Sequence, residues 1–249
     1  MEAQRLDQIV NLVQNNGRLS ARELMDAVGA SEATLRRDLA KLDRQGRLKR
    51  VRGGAESMEQ ALAIGHPFLD VDRRAQKRRI AQRASLLCAD GEAVIIDGGS
   101  TTYQMAPFLT GRGLTVFTNS FPMAQQLVQH PDTTLILPAG EVLKEHHMIY
   151  DPFGGDYFGH YAWRTLFMGV QGIDGRGATN ADTRVIRAEQ AMIEQSERVV
   201  ILADSTKFQQ RGDLRLCGFD AIDVIITDDA LPDEQREAIR AQGVELIIA

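Results

Sequence analysis

The sequence predicts an α/β protein in two parts: an N-terminal winged helix-turn-helix, then an open, mostly parallel α/β domain. Three observations predict it. From residue 91 onward, short apolar runs alternate with helical stretches, the pattern of strands covered on both faces. Ahead of them stand three amphipathic helical segments and a basic hairpin. Charge divides at the same place: residues 1–57 carry a net +3 and the remainder a net −8, within a formal total of −5.

At 249 residues and 43% hydrophobic content, the chain can build two cored domains. The window 31–54 is the most basic, at net +5. A basic end on an acidic body suits contact between one end and a polyanion, although a solvated helix face has the same signature. Cys88 and Cys217 are too few and too scattered for a disulfide framework or a zinc site. No apolar run approaches the roughly 20 residues of a membrane span. Met1-Glu2-Ala3-Gln4-Arg5 has none of the character of a signal peptide. The expectation is a cytoplasmic protein with no membrane partner, no metal and no cofactor.

Leu6, Ile9, Val10, Leu12 and Val13 give residues 2–16 a helical stripe, closed by Asn15-Asn16-Gly17. Ser20 caps a second helix, Ala21 to Val28, which Gly29 ends. Ser31 caps a third, with Leu35, Leu39 and Leu42 facing inward and Gly46 as its stop. Thr34, Arg37 and Lys41 then share another face, and Arg36 and Arg37 stand where recognition helices touch base edges. Arginine matches the two major-groove acceptors of guanine. In Arg47-Leu48-Lys49-Arg50-Val51-Arg52-Gly53-Gly54-Ala55, Leu48 and Val51 face inward while Lys49, Arg50 and Arg52 point out as phosphate contacts. A small helical dimerisation domain is the competing account. It fits less well, because the basic residues gather on one helix and its wing.

These residues resemble the DeoR family of bacterial transcriptional regulators. The resemblance rests on Arg5, Ile9 and Val13, then Ser31-Glu32-Ala33-Thr34-Leu35-Arg36-Arg37-Asp38-Leu39, then Gly46, Leu48-Lys49-Arg50 and Gly53-Gly54-Ala55. It implies operator-DNA roles for Ser31, Thr34, Arg36, Arg37, Lys49, Arg50 and Arg52, to which the shared helix face adds Lys41. Asp38, a carboxylate between arginines, reads as structural.

The DNA-binding domain is expected over 1–57, a linker over 58–75 broken by Gly65-His66-Pro67, and the α/β domain over 76–249. Arg73-Arg74 and Lys77-Arg78-Arg79 open a helix that runs through Ile80, Ala84 and Leu87. This basic cluster either touches DNA, leans on the acidic body, or points a cation at a bound anion. The last two accounts are preferred.

In the body, seven strands are expected at Val94–Ile96, Leu114–Phe117, Leu135–Leu137, Leu166–Val170, Val199–Ala203, Val224–Ile226 and Leu246–Ile248. Helices are expected at Tyr103–Leu109, Ser120–Gln129, Thr183–Ser196 and Pro232–Gln242. The central stretch is Ala93 to Tyr103, where a buried strand leads through Asp97-Gly98-Gly99 into Ser100-Thr101-Thr102. Glycines admit close backbone approach, and the hydroxyls and first-turn N–H groups suit an anion. An ordinary capped strand-to-helix turn has the same residues. Similar small, polar turns follow other strands: Thr118-Asn119-Ser120, Gln171-Gly172-Ile173-Asp174 and Asp204-Ser205-Thr206-Lys207. In open α/β sheets, ligands bind beyond the carboxyl ends of strands. Lys207 is a point charge suited to phosphate or carboxylate. His146 and His147 open a loop running to Gly155 that reads as a lid or a selectivity element rather than a metal site. Trp163 reads as core.

This body is also similar to the DeoR sensor domain and, more distantly, to ribose-5-phosphate isomerase. Gly99-Ser100-Thr101-Thr102, Thr118-Asn119-Ser120, Gly169 to Asp174 and Asp204-Ser205-Thr206-Lys207 carry that similarity. Where isomerases place an acidic pair after the fourth strand, this chain has Met168 and Gln171. The isomerase's general acid/base groups are therefore missing. The expected function is a transcriptional regulator, a repressor of a carbohydrate operon acting as a homo-oligomer (dimer or tetramer). It is expected not to be an enzyme and to have no catalytic residues. The expected effector is a small phosphorylated sugar or sugar acid, held by Asp97, Gly99, Ser100, Thr101, Thr102, Thr118, Asn119, Ser120, Gln171 and Lys207. The alternative is a sugar-phosphate isomerase-like enzyme tethered to DNA.

Overall fold

A computed structural model describes residues 2–16, 18–51, 53–56, 73–152, 155, 158 and 160–249. The chain divides into two compact units, Met1–Asp70 and Val71–Ala249. Arg52, Gly65-His66-Pro67 and most of the expected linker lie outside the described residues.

The first unit runs α1 (Glu2–Asn16), β1 (Arg18–Ser20), α2 (Ala21–Val28), α3 (Glu32–Arg44), β2 (Lys49–Val51) and β3 (Gly54–Glu56). Ser20 caps α2 reciprocally with Glu23, and Ser31 caps α3 through the Thr34 N–H. Gly29 ends α2 at φ 62°, a left-handed turn that favours glycine. The expected stripes do meet: Leu6, Ile9, Val13, Leu24, Leu35, Leu39, Leu42 and Leu48 form one buried cluster. The three strands pair antiparallel in the order β1-β3-β2. β1 was not expected, since three residues carry no period. It forces Gly54: a Cβ there would stand 2.1 Å from the Leu19 carbonyl oxygen.

The second unit is built on a seven-stranded sheet in the order β15-β14-β12-β9-β4-β5-β6, parallel throughout. Its strands are β4 (Ala93–Ile96), β5 (Thr115–Phe117), β6 (Thr134–Ile136), β9 (Trp163–Met168), β12 (Ser196–Leu202), β14 (Val224–Thr227) and β15 (Glu245–Ile248). All seven expected strands are there. Alternate residues face opposite cores. Val94, Ile96, Phe167, Val200 and Ile226 pack with Ile80, Ala84 and Met105. Ile95, Leu166, Met168, Ile201 and Ile225 pack with Ile186, Met192 and Ile239. The helices doing so are α4 (Arg74–Ser85), α6 (Thr183–Gln195) and α7 (Asp233–Ala241), with α5 (Phe121–Leu127) after β5. Arg74 and Ala75 fall inside the expected linker bounds and also in the helix expected to open at Arg73-Arg74; they are helical.

Two further departures concern segments that the sequence left as loops or a helix. β7 (Glu141–Leu143) and β8 (Met148–Tyr150) form an antiparallel hairpin, while β10 (Gly172–Asp174), β11 (Gly177–Asn180) and β13 (Leu214–Cys217) form a small antiparallel sheet. The helix expected at Tyr103–Leu109 is a 3-10 helix, Thr102–Phe108, with Pro107 inside it. Proline lacks the N–H that an α-helix would use there. No described helix is long and apolar enough to cross a membrane.

Candidate functional site

The cationic face of the first unit lies on α3 and the β2–β3 wing. Leu35, Leu39 and Leu42 anchor α3, which leaves Arg36 and Arg37 exposed and Thr34 and Lys41 half-buried. Arg37 Nε rests on the Ala33 carbonyl at 3.2 Å, so its guanidinium lies along the helix. Ser31 spends its hydroxyl on the cap and on Thr34 Oγ1, 3.0 Å away. On the wing, Lys49 and Arg50 are exposed, with Lys49 Nζ 3.8 Å from Asp43. Asp38 is structural, as the sequence suggested. It is buried and accepts two hydrogen bonds from Arg5, at 2.7 and 3.3 Å.

In the second unit, the strand order reverses its sense of winding between β4 and β9, the place where open α/β sheets hold ligands beyond the carboxyl ends of their strands. Two glycines border it. A Cβ on Gly99 would lie 3.9 Å from Gly169 Cα. Into this turn comes Lys77 of α4, itself buried, whose Nζ donates to Ser100 Oγ at 3.1 Å. Sequence reasoning had offered this basic cluster a bound anion without choosing a residue. The helical period was the available signal, since Lys77 shares a face with Ile80, Ala81 and Ala84.

The neighbouring cations are engaged within the unit. Arg73 reaches Asp228 at 2.9 Å and Asp204 at 3.9 Å, and Arg79 reaches Asp229 at 3.5 Å. Burial opposes ionisation of Asp228, but N–H donors from Ser205 and Ala230, the Ser205 hydroxyl and Arg73 outweigh it and hold the carboxyl below its ordinary value. Arg78 stacks over Phe108, 5.0 Å from the ring centre.

The other expected residues differ in what they have left to offer. Asp97, Thr101, Thr102, Thr118, Asn119 and Ser120 are all buried at the exits of β4 and β5. Thr102 Oγ1 bonds the Gly99 carbonyl, Thr118 Oγ1 accepts the Ser120 N–H, and Ser120 Oγ caps α5 through Met123. Those three hydroxyls shape the turns. By contrast, Asp97 Oδ2 and Asn119 Nδ2 are buried without a hydrogen-bond partner. Burial pushes the Asp97 carboxyl up to about 7, against the pull of the Gly98 N–H and of the nearby Asn119 amide, which stands outside hydrogen-bonding geometry. Glu189 on α6 is also pushed well up, by burial and by the charge of Asp97, while the Asn180 amide bonds both its oxygens. Sequence reasoning missed this acidic pair, whose members stand far apart in the chain.

Gln171 and Lys207 sit at the exits of β9 and β12. Gln171 is exposed. Lys207 is half-buried, and its Nζ turns back to Gln210 Oε1 at 3.2 Å.

Asn119 joins the glycine turn to a second space. Its Oδ1 accepts the Gly98 N–H at 3.1 Å, and its carbonyl accepts the Ile149 N–H of β8 at 2.7 Å. It also lines a cavity of about 310 Å³ walled by Phe117, Ile149, Tyr150, Arg187 and Met192 among others. Ile149, Tyr150, Asp151, Pro152 and Gly155 of the stretch expected to be a loop thus line a cavity. Glu145, His146 and Asp182 cluster tightly enough to suggest a metal site, but the Arg184 guanidinium lies 2.9 Å from Glu145 and 2.7 Å from Asp182. Hydrogen bonds from Arg184 hold the Asp182 carboxyl well below its usual range. The cluster is an ion-pair network. Trp163 is core, packed edge-on to Phe117 with its indole N–H on the Phe158 carbonyl.

Comparison with known proteins supplies the family. A profile described as DeoR C terminal sensor domain matches residues 72–229, and one described as DeoR-like helix-turn-helix domain matches residues 5–61. The HTH-type transcriptional regulator UlaR of Shigella dysenteriae serotype 1 (strain Sd197) is 31% identical over 251 residues, covering 99% of this chain and 98% of the relative. UlaR of Escherichia coli (strain K12 / DH10B) gives the same figures. Among solved structures, a probable sor operon regulator from Shigella flexneri aligns over 80% of this chain and 97% of its own, at 11% identity and a TM-score of 0.44. Ribose 5 phosphate isomerase A from Neisseria gonorrhoeae aligns over 55% and 54%, at 17% identity and a TM-score of 0.41. The chain belongs to the DeoR family and is a DNA-binding transcriptional regulator with a C-terminal sensor domain.

Proposed function

We propose that this regulator represses a carbohydrate operon in the cytoplasm and responds to a small phosphorylated sugar or related metabolite. Operator DNA is held by Ser31, Thr34, Arg36, Arg37, Lys41, Lys49, Arg50 and Arg52. The effector is held by Asp97, Gly99, Ser100, Thr101, Thr102, Thr118, Asn119, Ser120, Gln171 and Lys207, with Lys77 added. The single observation that carries this reading is the buried Lys77 ammonium aimed at Ser100 beside Gly99, at the sheet's switch point. A point charge beside a hydroxyl and a glycine-opened backbone suits a phosphate. Two buried polar atoms without protein partners, Asp97 Oδ2 and Asn119 Nδ2, are suited to sugar hydroxyls.

An effector controls DNA affinity only by binding the free and DNA-competent states unequally, typically by about 1–3 kcal/mol. A homo-oligomer, dimer or tetramer, would transmit this by changing the separation of its DNA modules. The test is a thermal-shift screen of the full-length protein with phosphorylated sugars. Each hit is then titrated against duplex selected by the protein from a random-sequence pool. The reading expects at least one phosphorylated compound that raises the melting temperature and changes DNA affinity severalfold. It falls if no phosphorylated compound does either.

A further inference from the structure

The cavity behind Asn119 has a cation at its rim that neither the DNA face nor the glycine turn uses. Arg187 on α6 is exposed and has no hydrogen bond or ion pair with any described residue. A solvated arginine is ordinary on a surface. This one differs in lining two adjoining spaces, the 310 Å³ cavity and a neighbouring groove. Among the described residues lining that groove, the charged ones are all arginines: Arg184, Arg187 and Arg215. Arg184 is committed to Asp182 and Glu145. Among the described residues lining the cavity, the one carboxylate, Asp151, accepts the Gly155 N–H. The cavity is otherwise largely apolar, with Phe117, Ile149 and Met192 in its wall. Its volume is at the lower end of small-molecule sites, which run to roughly 300–1,000 Å³. A guanidinium at the edge of a low-dielectric space selects a planar anion that accepts two hydrogen bonds, and a carboxylate is that group.

We propose that Arg187 reads a carboxylate on the effector, so that the sensor prefers a phosphorylated sugar acid to the matching neutral sugar phosphate. The proposal rests on the effector reading given above. The phosphate end lies at Lys77 and Ser100. Asn119 belongs to both places, accepting the Gly98 N–H and lining the cavity, and offers its unpartnered amide to a hydroxyl. Arg187 is then a specificity-determining residue of the same site.

The experiment uses full-length protein and matched pairs of probes with four to six carbons. Each pair is an aldose phosphate and the corresponding phosphorylated aldonic acid, with inorganic phosphate and the unphosphorylated acid as controls. Affinities are measured by calorimetry on the wild type, Arg187→Met and Lys77→Met. Arg187 is exposed, so its variant is checked for an unchanged unliganded melting temperature before use. The expected result is at least one pair in which the acid binds about tenfold more tightly than its neutral partner. Arg187→Met should erase that difference, and Lys77→Met should weaken both members. The proposal is overturned if wild type binds phosphorylated probes without preferring any acid. It is equally overturned if Arg187→Met weakens acid and neutral partners by the same factor. If no phosphorylated probe binds wild type, the effector reading itself fails, a result distinct from the other two.

Discussion

Lys77 Nζ meets Ser100 Oγ at 3.1 Å, joining a helix to a strand exit 23 residues further along the chain. The contact comes from the period of α4, which puts Lys77 on the same buried face as Ile80, Ala81 and Ala84. The place of Lys77 beside the Ser100 hydroxyl, at the glycine turn, suits a bound phosphate. Lys77→Met should therefore weaken effector binding by at least about tenfold, while specific DNA binding in the absence of effector stays intact. Calorimetry and a DNA titration read the two effects separately. Full effector affinity in the variant would remove Lys77 from the site.

Arg37 is exposed on α3 beside Arg36, with its guanidinium along the helix and its Nε on the Ala33 carbonyl. Arg37→Ala should cost roughly 1–3 kcal/mol of specific binding and blur one operator position, if the fork reads a base. A uniform loss on specific and random duplex, with a salt slope shallower by about 1, would assign it to phosphate instead. Binding across an operator-variant library at two salt concentrations distinguishes these outcomes.

The Arg5–Asp38 pair makes a prediction about stability. Its two hydrogen bonds tie α1 to α3, with Asp38 at 6% side-chain exposure and Arg5 at 27%. Asp38→Ala should destabilise the DNA-binding unit by about 1–3 kcal/mol, discounted toward the lower end because Arg5 remains partly solvated. Asp38→Asn should recover part of the loss. Urea melts followed by helical circular dichroism measure both. An unchanged midpoint for Asp38→Ala would mean that the pair contributes nothing net.

The fold was legible where residues repeat. Leu35, Leu39 and Leu42 declared a helix, and the apolar runs declared all seven strands of the parallel sheet, because burial on both faces leaves no polar alternation to confuse the reading. Apart from the basic wing, whose Gly53-Gly54 bend marks it, short antiparallel segments were not legible. Arg18–Ser20, Gly172–Asp174 and Gly177–Asn180 are three or four residues long, and partners distant in sequence make them strands. The site was half legible for a related reason. The Gly98-Gly99-Ser100 turn announces itself locally, whereas Lys77, Glu189 and Arg187 come from helices, where the only signal is the helical period that Lys77 shares with Ile80, Ala81 and Ala84. Lys207, read from its turn as a ligand contact, directs its ammonium to Gln210. Its neighbours Asp204 and Ser205 are held in the network around Asp228 and Arg73.

The acidic pair at the back of the site predicts a pH dependence of the sensor's own stability. Native Asp97 holds its proton up to about 7, mainly because burial disfavours the carboxylate. In the unfolded chain it ionises near its ordinary value of 3.8. Between those values the native state binds the extra proton, so this group's contribution to stability falls as pH rises from about 4 to about 7 and is level beyond. Glu189, also pushed up, acts in the same direction, and each carboxylate burdens the other once both ionise. Asp97→Asn cannot ionise and relieves Glu189 of a neighbouring charge. It should therefore gain stability relative to wild type on going from pH 5 to pH 8. Thermal melts of both proteins without effector at the two pH values give the double difference directly. Parallel pH profiles would show that Asp97 is already ionised in the folded protein at pH 5, and the buried-acid account of this corner would be wrong.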